Sequence, residues 1–258
     1  LYAHEETRLM ASMQTLTLPT RRDEAWRYSD HAALARVWPT LAAPERIVVA
    51  AGEQAVRIVD ALPESGILQI EAELGEGARL ALFGLVAGHD YGRLEVAVRL
   101  ASGAHLELGA AILGGAAQTL EVVTRIDHAE PDATSNQVVR SVLGGRATGS
   151  FLGKVHVARD AQRTDAEQSV KAMLLDRGAT ANAVPQLEIY ADDVKCAHGA
   201  TVGELEAMGL FYMAARGIPP AIAKRLMLQA FIADAFVEAG DAGEALEARA
   251  TEYLGSLL

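Results

Sequence analysis

Between residues 185 and 205 the chain reads PQLEIYADDVKCAHGATVGEL, which gathers Asp192, Asp193, Lys195, Cys196 and His198 into one short polar cluster. Directly ahead of it, Leu187 and Ile189 alternate within LEIY as a half-buried strand would. If strand geometry continues, Cys196 and His198 lie two apart, project from the same face and can share one ion. A thiolate and an imidazole suit zinc or iron, but two ligands leave a four-coordinate metal half satisfied. Cys196 is the single cysteine, so further thiolate ligands would have to come from another polypeptide. The competing structural reading is a small buried thiol, a hydrogen-bonded histidine and aspartates that bond turn amides.

Other chemistries find less in the residues. No G-x-S-x-G elbow, no P-loop and no G-x-G-x-x-G opening a helix occurs, so any ATP dependence would come from a partner. Asp165 and Glu167 would share one side of a strand, as a paired-carboxylate site requires. That keeps open a β-helix enzyme acting on carbohydrate or acyl substrates through acidic residues. A solvated strand face explains the same pair, and aromatics at 5% offer few platforms for sugar rings. The reading preferred here is not an enzyme.

The elements that must hold the cluster follow from composition and pattern. Half the residues are apolar and 22% are charged, which places the chain with folded proteins. A formal charge of -11 would repel both a phosphate backbone and an anionic bilayer, so neither nucleic acid nor membrane is an expected partner. No apolar run approaches the ~20 residues of a membrane span, and no secretory signal is evident, which makes the cytoplasm the expected location.

Residues 1–13 carry no weight in this reading, because the chain opens on Leu rather than Met. Residues 1–44 then form a tail with a short helical segment, and Pro39 and Pro44 mark its end. Residues 45–204 change to strand-sized segments: Ile47–Val49, Val56–Val59, Ile67–Ile70, Leu80–Phe83 and Leu94–Val98. Gly77-Ala78 and Gly103-Ala104 each open such a strand, 26 residues apart, and Gly178-Ala179 with Gly199-Ala200 repeats the pattern. Recurrence of this kind points to stacked coils, with a sandwich or barrel as the alternative. Residues 205–258 turn helical, and Gly217-Ile218-Pro219-Pro220 separates two helices. Their apolar stripe is broader than one face, so Phe211, Tyr212, Leu226 and Phe231 are candidates for docking a partner.

Three stretches carry a family resemblance: LPTRRDEAWRYSD at 18–30, AQRTDAEQSVKAMLLDRGATANAVPQLEIYADDVKCAHGATVGELE at 161–206, and LFYMAARGIPPAIAKRLMLQAFIADAF at 210–236. They resemble the SufB/SufD family of the Suf iron-sulfur cluster assembly system, and the lone cysteine favours its SufD side. The resemblance implies a right-handed parallel β-helix core that pairs with SufB and a C-terminal helical subdomain that binds the ATPase SufC. It also implies a nascent Fe-S cluster held transiently at the SufB interface, with His198 as a ligand and Cys196 as auxiliary ligand or neighbour. No cofactor is expected on the isolated chain. An exposed last rung would also leave room for a homodimer in isolation. The chain departs from the family in having less helical material before the β core.

Overall fold

The strand-sized segments that begin at residue 45 become the two walls of a coil. The structure, a computed structural model, describes residues 17–258, so residues 1–16 lie outside it. The strands are β1 (Glu45–Val49), β2 (Gln54–Val59), β3 (Ile67–Leu74), β4 (Arg79–Ala87), β5 (Tyr91–Leu100), β6 (His105–Gly114), β7 (Thr119–His128), β8 (Thr134–Leu143), β9 (Thr148–Val157), β10 (Thr164–Leu174), β11 (Thr180–Ile189) and β12 (Val194–Gly203). Odd-numbered strands stack as one six-stranded parallel sheet and even-numbered strands as another. The chain crosses from one wall to the other with every strand, which is a β-solenoid of the expected mainly β class.

Register fixes what each coil places above the last. Gly77 and Gly103 occupy the same turn of successive coils with φ of 64° and 66°, a conformation glycine adopts without strain. The second glycine echo has no such meaning. Gly178 precedes β11, whereas Gly199 lies inside β12.

Between the walls lies an apolar core of Leu, Val, Ile and Ala, including Leu82, Leu108, Val122, Val139 and Val155. Polar side chains enter it in the later coils. Thr124 Oγ1 donates across the interior to Gln137 Oε1 at 2.6 Å, and His128 Nε2 lies 2.9 Å from Ser135 Oγ.

Each outer face is also covered in part. On the odd sheet sits the N-terminal segment with helix α1 (His31–Val37), whose first amides at Ala32 and Ala33 bond the Asp30 carboxylate. A buried charge holds it there: the Arg93 guanidinium lies 3.6 Å from the Trp26 ring centroid and 2.9 Å from Glu121 Oε2. Ser29 and Tyr91 hydroxyls donate to the same carboxylate, so one ion pair ties two strands to the segment in front of them. Burial alone would lower the Arg93 pKa, but the Glu95 and Glu121 carboxylates outweigh it and raise it. Removing one partner of such a pair typically costs about 3–5 kcal/mol, because the other charge is left buried alone.

The even sheet is covered by α3 (Pro220–Ala233) and α4 (Asp241–Leu257), which follow α2 (Ala207–Ala215). Leu228, Ile232, Phe236, Leu246 and Leu254 pack on Phe83, Leu85, Ala111 and Val142 as a second core outside the coil. The approach is close enough that a Cβ on Gly109 would fall 1.9 Å from the Ala235 carbonyl oxygen. Arg140, nearly buried, pins the same region through Asp234 at 2.6 Å. Gly217 at φ 82° closes α2 and Pro220 opens α3, as the sequence predicts.

Burial pushes the His128 pKa down to about 4 from 6.5, so the folded protein resists a proton that the unfolded chain accepts. The sign follows: the unfolded state binds more protons below pH 6.5, and stability falls as pH drops from there toward about 4. Urea unfolding of wild type should lose about 2 kcal/mol more between pH 7.5 and 5 than unfolding of His128→Gln. Equal losses in the two proteins would refute a neutral buried His128.

Candidate functional site at the last coil

β12 closes the even sheet at one edge, with β10 as its only hydrogen-bonded neighbour among the described strands. Parallel register sets Cys196 against Ala166 and His198 against Gln168, and both of those residues are 1% exposed on the core side. Cys196 and His198 therefore share the core-facing side of β12, as their spacing predicts. No further coil covers them among the described residues, so His198 stands exposed while Cys196 remains half-buried against the core. Burial raises the Cys196 thiol pKa, and the nearby Asp165 carboxylate adds to the shift. The thiol is thus held back from the thiolate form that a metal requires.

The rest of the polar cluster divides. Lys195 pairs with Asp165 in register and takes the outward side. The Asp193 amide donates to Gln162 Oε1 at 2.9 Å and its carbonyl accepts from the Arg163 amide, which fastens the turn onto the preceding one. Its backbone, rather than its carboxylate, makes these turn bonds. Asp165 and Glu167 both face solvent from β10, with alternate residues Ala166 and Gln168 buried, which matches a solvated strand face. Among the described residues no group of three His, Cys, Asp or Glu side chains is placed to hold a metal ion.

A groove of about 830 Å³ runs over the outer face of the odd sheet, with Trp26 and Trp38 among its walls and Val123 and Leu152 among its lining. Sequence reasoning missed it, because its lining comes from five strands and the N-terminal segment. Several of its charges pair with one another: Asp127 lies 2.8 Å from Arg99 and 2.7 Å from His156, and Lys154 lies 2.6 Å from Glu188. Burial raises the Asp127 pKa, but His156 and Arg99 outweigh it and hold the carboxyl below its ordinary value.

The C-terminal stripe also separates into two sets. Phe211 is 69% exposed, and Tyr212, Leu226, Met208 and Ile222 are exposed beside it in the α2–α3 hairpin. Phe231 differs from the expectation: it is half-buried and packs on the second core, because α3 turns that side toward the even sheet.

Comparison with known proteins identifies the family. The family described as "SUF system FeS cluster assembly, SufBD core domain" matches residues 64–231, well over half of the chain. The chain belongs to the SufBD core family. Among its relatives, the iron-sulfur cluster assembly protein SufD of Escherichia coli is 36% identical over 111 residues, 43% of this chain and 26% of that protein. A SufBD family iron-sulfur cluster assembly protein of Synechocystis is 40% identical over 101 residues, 39% of this chain and 22% of the relative. Protein ABCI7, chloroplastic, of Arabidopsis thaliana is 42% identical over 109 residues, 41% of this chain and 22% of the relative. The matches thus span about a quarter of the length of these curated relatives. Among the described residues no helix is long and apolar enough to cross a membrane.

A raised thiol pKa makes Cys196 a slow nucleophile. Its alkylation by iodoacetamide at pH 8 should run slower than that of free cysteine and accelerate as pH rises further. A rate at pH 8 matching or exceeding free cysteine would contradict a half-buried, neutral thiol.

Proposed function

We propose that this SufBD-core protein is a non-catalytic scaffold subunit for iron-sulfur cluster assembly, working as the SufD-like member of a complex with a SufB-like subunit and a SufC-like ABC ATPase. The nascent cluster is the cargo of that complex, not a resident cofactor of this chain. The single observation that carries the reading is His198, exposed on the core-facing side of the edge strand β12, two residues from the protein's single cysteine. With only two soft or borderline ligands on one strand, the remaining ligands come from the facing chain.

In this reading the uncovered edge of β12 is where the SufB-like subunit adds its own strands, since unpaired backbone groups favour strand addition. A second copy of this chain could use the same edge in isolation. His198 supplies an imidazole ligand. Cys196 is an auxiliary ligand whose thiol loses its proton on binding iron. The exposed Phe211, Tyr212 and Leu226 dock the ATPase in a helix-to-groove manner, and Phe231 supports them from beneath. Nucleotide-driven movement of that motor then strains the interface and exposes the ligands.

The test reconstitutes the three-component complex and follows cluster formation by absorbance and bound iron and sulfide. His198→Ala is expected to lower the yield at least tenfold while the complex still assembles, and an undiminished yield removes the ligand role. Separately, Phe211→Asp should weaken co-purification with the SufC-like ATPase tenfold or more without reducing thermal stability. Unchanged capture would move the docking surface elsewhere.

A further inference from the structure

The core-facing column that ends at His198 changes character along the solenoid. In register it reads Arg57, Leu82, Leu108, Gln137, Gln168 and His198, so after a charged first coil two apolar coils give way to three polar ones. The facing column on the odd sheet reads Val96, Thr124, Gly153 and Pro185. Gln137 meets Thr124, whose hydroxyl satisfies its carboxamide oxygen, although Gln137 Nε2 has no partner. Gln168 has glycine and proline on the facing column, neither of which offers a side-chain hydrogen bond.

Gln168 is 1% exposed, yet neither its Oε1 nor its Nε2 has a hydrogen-bond partner. A Cβ on Gly153 would lie 2.6 Å from Gln168 Nε2, so the glutamine reaches across the interior into room that only glycine leaves. Leaving such a buried amide unbonded costs about 1–3 kcal/mol, and a leucine of similar volume would avoid it. A buried polar group kept at this cost calls for a partner, and the next residue of its own column is His198, one strand spacing of about 4.8 Å away.

We propose that Gln168 is the positioning residue of the His198 site: its carboxamide oxygen accepts the N–H of the inner imidazole nitrogen. That contact fixes the neutral tautomer and directs the lone pair of the outer nitrogen toward the open end of the solenoid. A ligating imidazole needs such an acceptor behind it, since one ring nitrogen gives its lone pair to the metal and the other carries the proton. With its oxygen turned toward His198, the Gln168 amide can donate toward Gln137, whose Oε1 retains a lone pair beside the Thr124 bond. Thr124, Gln137, Gln168 and His198 then form one chain of hydrogen bonds from the core to the rim. The inference rests on the ligand reading of His198 for its purpose, but the contact itself is testable without any cluster.

Long-range proton–nitrogen NMR on the full chain reads the tautomer directly, with His198 assigned by comparison with His198→Gln. Wild type should show a single dominant neutral tautomer. Gln168→Leu should shift toward the mixture of a free imidazole, while Gln168→Glu, which retains an acceptor, should restore it. In the reconstituted complex, Gln168→Leu should lower cluster yield about tenfold, the scale for residues that orient metal ligands, with thermal stability unchanged or raised. In a His198→Ala background the same change should have no further effect. An identical tautomer population in wild type and Gln168→Leu overturns the proposal, as does an additional loss on top of His198→Ala. If His198→Ala leaves cluster formation intact while the tautomer still depends on Gln168, the ligand reading fails and the positioning contact stands.

Discussion

Parallel register between successive coils is the constraint on which the rest of this protein depends. Because each strand of a wall pairs in parallel with the strand one coil away, every side chain inherits its surroundings from the residue one coil earlier. A shift by one residue would turn Leu82 and Leu108 outward and bring Ala81 and Glu107 in, so the apolar interior enforces the pairing it depends on. The same rule carries outward, where residues of the alternate parity form the surfaces against which α1 and the C-terminal helices pack.

Those outer layers are held by different physics. The second core beneath α3 and α4 is hydrophobic burial, tolerant in detail but dependent on the flat approach that Gly109 permits. The N-terminal segment depends on a charge: Arg93 is fully buried and acceptable there only because Glu121, Glu95 and the Trp26 ring surround it. The helical layers therefore cover part of each wall, while β1 and β2 at one end and β11 and β12 at the other each keep one side unpaired among the described strands.

The distribution of polar residues follows the same axis. The Glu45–Arg57 ion pair occupies the first coil, aliphatic side chains fill the coils that follow, and a polar interior returns toward β12 through Thr124, Gln137 and Gln168. A site on a terminal strand differs from a pocket in a closed fold, because on one side it faces solvent: His198 is exposed and Cys196 only half-buried.

Much of this was legible in the sequence, and for a physical reason. Period-two alternation, turn glycines and the Gly217–Pro220 break are local signals, and local backbone preferences settle them. The side shared by Cys196 and His198 likewise needs only strand parity. What the sequence could not decide is which residues meet across 25 to 32 positions of chain, the separations of Glu45 from Ile70 and Thr148 from Thr180. The pairing of Gln168 with His198, its facing glycine at 153, the Arg93–Glu121 latch and the inward turn of Phe231 all arise from that packing. Turn lengths vary from coil to coil, so these contacts have no fixed spacing in the chain and are set only when the tertiary structure closes.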